Sequence, residues 1–120
     1  HRGAGDPLAF IAGGETVVRI TGKGSGGRNQ ELALSGAMGI AGMKDVCLFS
    51  VGSDGTDGPT DAAGGIVTGE TKEQLEALGI SIPDVLKAND SYNALKRVDG
   101  LIFTGPTGTN VNDVCCLLIK

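Results

Sequence analysis

Short apolar runs alternate with glycine-rich and polar stretches along the chain, and the spacing of the apolar positions predicts its elements. Leu8-Ala9-Phe10-Ile11-Ala12 and Thr16-Val17-Val18-Arg19-Ile20 are β-prone runs joined through Gly13-Gly14-Glu15, which predicts an N-terminal β-hairpin. From about Arg28 to Ala41 the apolar positions Leu32, Leu34, Ala37, Met38 and Ala41 recur at helical spacing, with small residues at Ser35, Gly36 and Gly39 for close packing. Val46-Cys47-Leu48-Phe49-Ser50-Val51 is a continuous run of strand length, suited to a central strand buried on both faces. Thr71 and Gln74 have capping-box spacing ahead of Leu75, Ala77 and Leu78, and Gly79 is the residue that would end that helix. Pro83 opens a further helical run, broken at Asn89-Asp90-Ser91 and resumed through Tyr92, Leu95 and Val98. Leu101-Ile102-Phe103 predicts a buried strand, and Val114 to Ile119 the last one. The expected fold is α/β, a single domain over 1–120 with a mixed β-sheet flanked by helices.

Composition changes this picture in one respect. Glycine supplies 21 of the 120 residues, against a usual share of roughly 7%. Four prolines and no G-X-Y period exclude collagen, while 40% apolar residues support a packed core. The glycines therefore belong to loops of a folded domain. Fourteen acidic against ten basic residues, with no basic run, argue against nucleic acid or a membrane surface as a partner. Neither a membrane-spanning stretch nor the apolar core of a signal peptide is present, so the expected compartment is the cytoplasm. Cys47, Cys115 and Cys116 form no C-x-x-C spacing and read as reduced core thiols. The only histidine is His1, at a start that reads as internal, so histidine-dependent catalysis and histidine metal sites are not expected.

Candidate chemistry gathers in four polar segments, two of them directly after apolar strands. The first, Gly22 to Gln30, matches G-x-G-x-x-G at Gly22, Gly24 and Gly27, but the helix after it begins Arg28-Asn29-Gln30-Glu31 instead of an apolar first turn, so a dinucleotide site is not indicated. Free amides at a helix start together with a guanidinium do suit a carboxylate or phosphoryl group. Arg28 is the cation placed for it, and Lys23, Gly24 and Asn29 are further candidates; the alternative is an arginine paired with a local acid. The second segment carries Asp54, Asp57 and Asp61 in a glycine loop. Asp54 and Asp57 are candidate substrate or Mg²⁺ ligands, and Asp61 a candidate cap for a helical turn over Ala62-Ala63-Gly64, with simple Asx-turns as the alternative. Asn89 and Asp90 are candidate binding residues or a C-cap followed by an N-cap. In the fourth segment Thr107, Thr109 and Asn110 offer hydroxyls and an amide without a P-loop lysine, while Asn112 and Asp113 either lock the loop or line a pocket.

The order of these segments is informative. Gly13-Gly14-Glu15-Thr16, Gly22-Lys23-Gly24 through Gly26-Gly27-Arg28-Asn29-Gln30-Glu31, Asp54 through Gly64, Asn89-Asp90-Ser91-Tyr92 and Thr104 through Asp113 resemble the C-terminal MOFRL domain of the type II glycerate kinases. The resemblance spans Gly13 to Ile119. It implies a larger Rossmann-like N-terminal domain, absent from this sequence, which carries a catalytic lysine and closes a cleft where ATP phosphorylates D-glycerate, usually to 2-phosphoglycerate. It also implies that Arg28 is catalytic. ATP and Mg²⁺ are then the expected cofactors and D-glycerate the expected small-molecule substrate, and this chain alone is expected to be inactive. Two alternatives stand: a domain of an NAD(P)-dependent hydroxypyruvate reductase, a description also attached to such sequences, and a non-catalytic ligand-binding or interdomain packing module.

Overall fold

A computed structural model describes residues 8–14, 24–53, 55, 57–105 and 113–119. The elements run β1 (Leu8–Gly14), α1 (Arg28–Gly39), β2 (Val46–Gly52), β3 (Gly64–Thr68), α2 (Thr71–Ala77), α3 (Ile82–Lys87), α4 (Ser91–Arg97), β4 (Leu101–Ile102) and β5 (Asp113–Ile119). The strands form one sheet in the order β1-β5-β2-β3-β4.

Every pairing among the described strands is antiparallel, where a mixed sheet was expected. The physical reason is the position of β5. It inserts between β1 and β2, pairing Leu117 with Phe10 on one side and with Leu48 on the other. β1 and β2 thus run parallel but never touch. The predicted hairpin is described only in its first arm, which is β1; Thr16 to Ile20 lie outside the described residues.

α1 is the hub of the core. Its Ala33, Leu34, Ala37 and Ile40 pack with Val46 and Val67 of the sheet and with Leu75, Ile82, Ala94 and Leu95 from the other three helices. Small residues bring it close to the strands. A Cβ at Gly36 would lie 3.0 Å from the Leu48 methyls, and one at Gly65 would lie 3.2 Å from the Ala33 Cβ. Period-two alternation then turns Val46, Leu48 and Ser50 toward α1 and Cys47, Phe49 and Val51 to the other face. The α1 side of this strand is buried at Val46 and Ser50, whereas Cys47, Phe49 and Val51 are half-buried, so β2 is central without being buried on both faces. Burial, and then the neighbouring Cys116, push the Cys47 and Cys115 thiols above their ordinary value.

Three local expectations are corrected. Thr71 is the first residue of α2, not its cap: its hydroxyl accepts the Thr68 N–H at 2.9 Å and locks the turn out of β3. Residues 62 and 63 are buried chain leading into β3, so Asp61 caps no helix. β4 is a two-residue edge strand and Phe103 is 58% exposed, so the run 101–103 is not a buried strand. The stop at Gly79 holds: its φ is +77°, and Ile80 donates to the Leu75 carbonyl at 2.9 Å in a Schellman closure.

The glycines divide by what surrounds them. A Cβ at Gly64 would sit 1.8 Å from the Ser50 carbonyl oxygen, while one at Gly39 would meet nothing within 4 Å. Gly64→Ala is expected to lower stability by about 3 kcal/mol by forcing β2 and β3 apart. Gly39→Ala is expected to leave it unchanged or raise it by up to about 1 kcal/mol through helix propensity. Urea-denaturation midpoints check the pair, and similar shifts in both variants would contradict the packing described.

Candidate functional site

The N-terminus of α1 organises the polar segments. Gly27, at the capping position, has no side chain to offer the first helical amides. The acceptor comes instead from Asp57, 28 residues beyond Asn29 and only 2% exposed. Its Oδ1 accepts the Asn29 N–H at 2.9 Å and the Asn29 side-chain amide at 3.1 Å, and its Oδ2 accepts the Gln30 N–H at 2.8 Å. A negative charge there is favoured both by the orphan amides and by the helix dipole. The fit is tight, since a Cβ at Gly27 would lie 2.5 Å from the Asp57 carboxyl carbon.

Neighbouring groups lock this cap. The Ser50 hydroxyl donates to the Asn29 side-chain oxygen, Oδ1, at 2.6 Å, tying the cap to β2. Gln30 donates to the Thr60 hydroxyl at 2.8 Å, and that hydroxyl donates to the Asp57 carbonyl at 2.9 Å. The second polar segment is therefore folded onto the start of the helix.

The third segment clamps the first. Asn89 holds φ +54° after α3, a left-handed conformation that asparagine tolerates, and ends that helix. Gly24 donates to the Ala88 carbonyl at 2.9 Å, Ser25 N–H to the Asp90 carboxylate at 3.0 Å, and Tyr92 N–H to the Ser25 carbonyl at 2.9 Å. Gly24 has to be glycine here, because a Cβ would lie 2.4 Å from that of Asp90. The Asn89 amide donates to the Glu31 carboxylate at 3.0 Å. Burial pushes the Glu31 carboxyl above its ordinary value; the Asn89 bond opposes this, and the charge on Asp57 adds to it. Tyr92 donates to Asp61 at 2.7 Å, which raises the phenol's pKa.

Arg28, the first residue of α1, reaches to the start of β5. Its Nη2 donates to Asp113 Oδ1 at 3.0 Å and its Nε to Asp113 Oδ2, a two-pronged contact. The carboxylate is 7% exposed and the arginine side chain 41% exposed. The fourth segment also approaches the second, with Gly55 packed so closely that a Cβ would fall 2.0 Å from the Gly105 carbonyl oxygen.

Of the expected site residues, the structure brings Gly24, Arg28, Asn29, Asp57, Asn89 and Asp90 together around the start of α1. Lys23, Asp54, Thr107, Thr109 and Asn110 lie outside the described residues. Asn29 and Asp57 are buried in the cap, and Asn89 and Asp90 hold the loop, so these four position backbone. Both Asp57 oxygens accept α1 donors, so the role its geometry shows is the cap. Among the described residues, no group of three or more Cys, Asp, Glu or His could hold a metal ion. Nor is any helix there long and apolar enough to cross a membrane. Sequence reasoning missed Ser50, Gln30 and the pairing of Asp113 with Arg28. The lone hydroxyl within the apolar run 46–51 was a signal for Ser50.

Residues 8–113 match the MOFRL family. D-glycerate 2-kinase from Thermotoga maritima is 61% identical over 113 residues, which are 94% of this chain and 27% of that protein. Glycerate 2-kinase from Pyrococcus horikoshii is 52% identical over 114 residues, covering 94% of this chain and 26% of its own length. The crystal structure of glycerate kinase from Thermotoga maritima superposes with a TM-score of 0.91, covering 93% of this chain and 27% of that one. The chain spans about a quarter of the length of the curated relatives it matches.

Two expectations follow from the geometry. Asp57→Ala leaves buried amides without an acceptor and is expected to cost about 3 kcal/mol, whereas Asp61→Ala, at an exposed contact, should stay within about 0.5 kcal/mol. Thermal melts of the two variants check this, and equal losses would contradict the cap. Because the Glu31 value is raised in the fold, its contribution to stability is complete below the ordinary 4.5 and is lost as pH rises through the higher folded value. Glu31→Gln should therefore gain on the parent as pH rises from 4.5 through the raised folded value and hold that gain above it. A gain that shrinks with pH in denaturation curves would contradict the assignment.

Proposed function

Because this chain belongs to the MOFRL family, we propose that it is the C-terminal domain of a glycerate kinase and forms one wall of a cleft in which ATP phosphorylates D-glycerate. The observation that carries this reading is Arg28, a half-exposed guanidinium fixed at the start of α1 where the polar segments meet. Phosphoryl transfer asks mainly for positioning and for neutralisation of charge on the migrating group. A guanidinium supplies both, through planar two-pronged hydrogen bonds to a carboxylate or phosphoryl oxygen.

In this reading Arg28 binds the glycerate carboxylate or the phosphoryl group in transit. Asn29, Asp57, Asn89 and Asp90 fix the backbone that presents it. Lys23, Asp54, Thr107, Thr109 and Asn110 complete the wall and contact substrate or phosphate. Mg²⁺, which screens the phosphate charges, would arrive with ATP; Asp54 is the acid of the second segment that could meet it, with Asp57 serving as the cap. The catalytic lysine and the opposite wall belong to the preceding domain, and the whole protein works in the cytoplasm.

The two-domain protein, assayed with glycerate and ATP·Mg²⁺ and in parallel with hydroxypyruvate and NADH or NADPH, is expected to give phosphoglycerate and no hydride transfer. The present chain alone is expected to show no turnover. Arg28→Ala in the two-domain protein should lower kcat about a hundred-fold or more. Turnover within a few-fold of the parent would remove the catalytic assignment, and oxidation of the nicotinamide cofactor would replace the kinase by a reductase.

A further inference from the structure

Arg28 stands on a long side chain, and an arginine that binds a migrating group must hold its guanidinium plane before the substrate arrives. Glu31, the acid in the same turn, accepts the Asn89 amide at 3.0 Å. Asp113 holds the guanidinium from the far end of the chain. It is the first residue of β5, the strand that pairs on both sides, and its cross-strand neighbours are Gly14 of β1 and Gly52 of β2. Neither neighbour has a side chain to compete for the Asp113 carboxylate. Register puts Asp113 on the same face as Ser50 and Leu48, the face that α1 covers. The carboxylate is nearly buried, and both its oxygens meet the guanidinium, at Nε and at Nη2, along one edge of the fork. That arrangement fixes the plane of the group while 41% of the arginine side chain stays exposed.

Resting on the reading of Arg28 as the catalytic cation, we propose that Asp113 is a positioning residue for the reaction, the carboxylate that orients the guanidinium toward the substrate. It touches no substrate itself. A surface ion pair would have both partners exposed and would tolerate loss of either. Here the buried member is the acid and the exposed member is the cation, the polarity suited to presenting a charge outward. An orientation error of about an ångström at a reacting centre lowers turnover by about two orders of magnitude.

The test uses the two-domain protein. Asp113→Asn is expected to lower kcat ten- to a hundred-fold with the KM for ATP within two-fold of the parent, and Asp113→Glu to recover part of the loss. Guanidinium chloride at millimolar concentration should restore at least ten-fold activity to Arg28→Ala, because the buried carboxylate holds the added cation, and should fail in Arg28→Ala, Asp113→Asn. Should Asp113→Asn not fold, Arg28→Ala, Asp113→Ala, which leaves no unpaired charge, carries the rescue comparison. Parental kcat in Asp113→Asn while Arg28→Ala is inactive would overturn this inference and leave the reading of Arg28 standing. Equal rescue with and without Asp113 would also overturn it. Parental turnover in both single variants would overturn this inference and the function it rests on.

Discussion

One carboxylate holds the polar half of this domain together. Asp57 sits on the first amides of α1, from which solvent is excluded, and accepts three N–H donors from two consecutive residues. Charge-assisted hydrogen bonds of this kind are roughly twice as strong as neutral ones. Because Asp57 belongs to the loop between β2 and β3, its cap fixes that loop against the helix. Because α1 is also the hub of the apolar core, the cap ties loop geometry to core geometry. Arg28 precedes the two capped residues, so its direction of exit is set by the same contact.

This arrangement changes how the site handles charge. A helix N-terminus followed by a basic residue suggests direct binding of an anionic ligand by free amides. In this domain the protein's own carboxylate occupies those amides, and the adjacent guanidinium is the group that faces outward. A ligand oxygen would then meet Arg28 without displacing the cap. In the proposed kinase reading this separation has a physical advantage: the internal anion fixes the scaffold, while the half-exposed cation can meet a charge that moves during phosphoryl transfer.

Elements defined by local pattern were legible in the sequence. α1, β2, the stop at Gly79 and the break between α3 and α4 all follow from periodicity and from single residues whose backbone demands are specific. Which segments carry polar chemistry was also legible, two of them from their placement after strands. What could not be read was long-range pairing. The insertion of β5 between β1 and β2 joins opposite ends of the chain, and no local signal reports it. The cap is the same kind of case. Capping rules inspect the residue just before the helix, and at Gly27 they find no side chain; the carboxylate comes from the next loop. Thr71 was misread for the converse reason, since a residue with the right local chemistry bonds back to Thr68 instead.

The central claim is that the start of α1 is closed by Asp57 and that Arg28, not the helix amides, receives the substrate's charge. A crystal structure of the two-domain protein with D-glycerate bound measures this directly. The expected result is a glycerate carboxylate or phosphoryl oxygen within hydrogen-bonding distance of the Arg28 guanidinium, with Asp57 still accepting from Asn29 and Gln30. A substrate oxygen seated on those two amides, with Asp57 turned away, would contradict it.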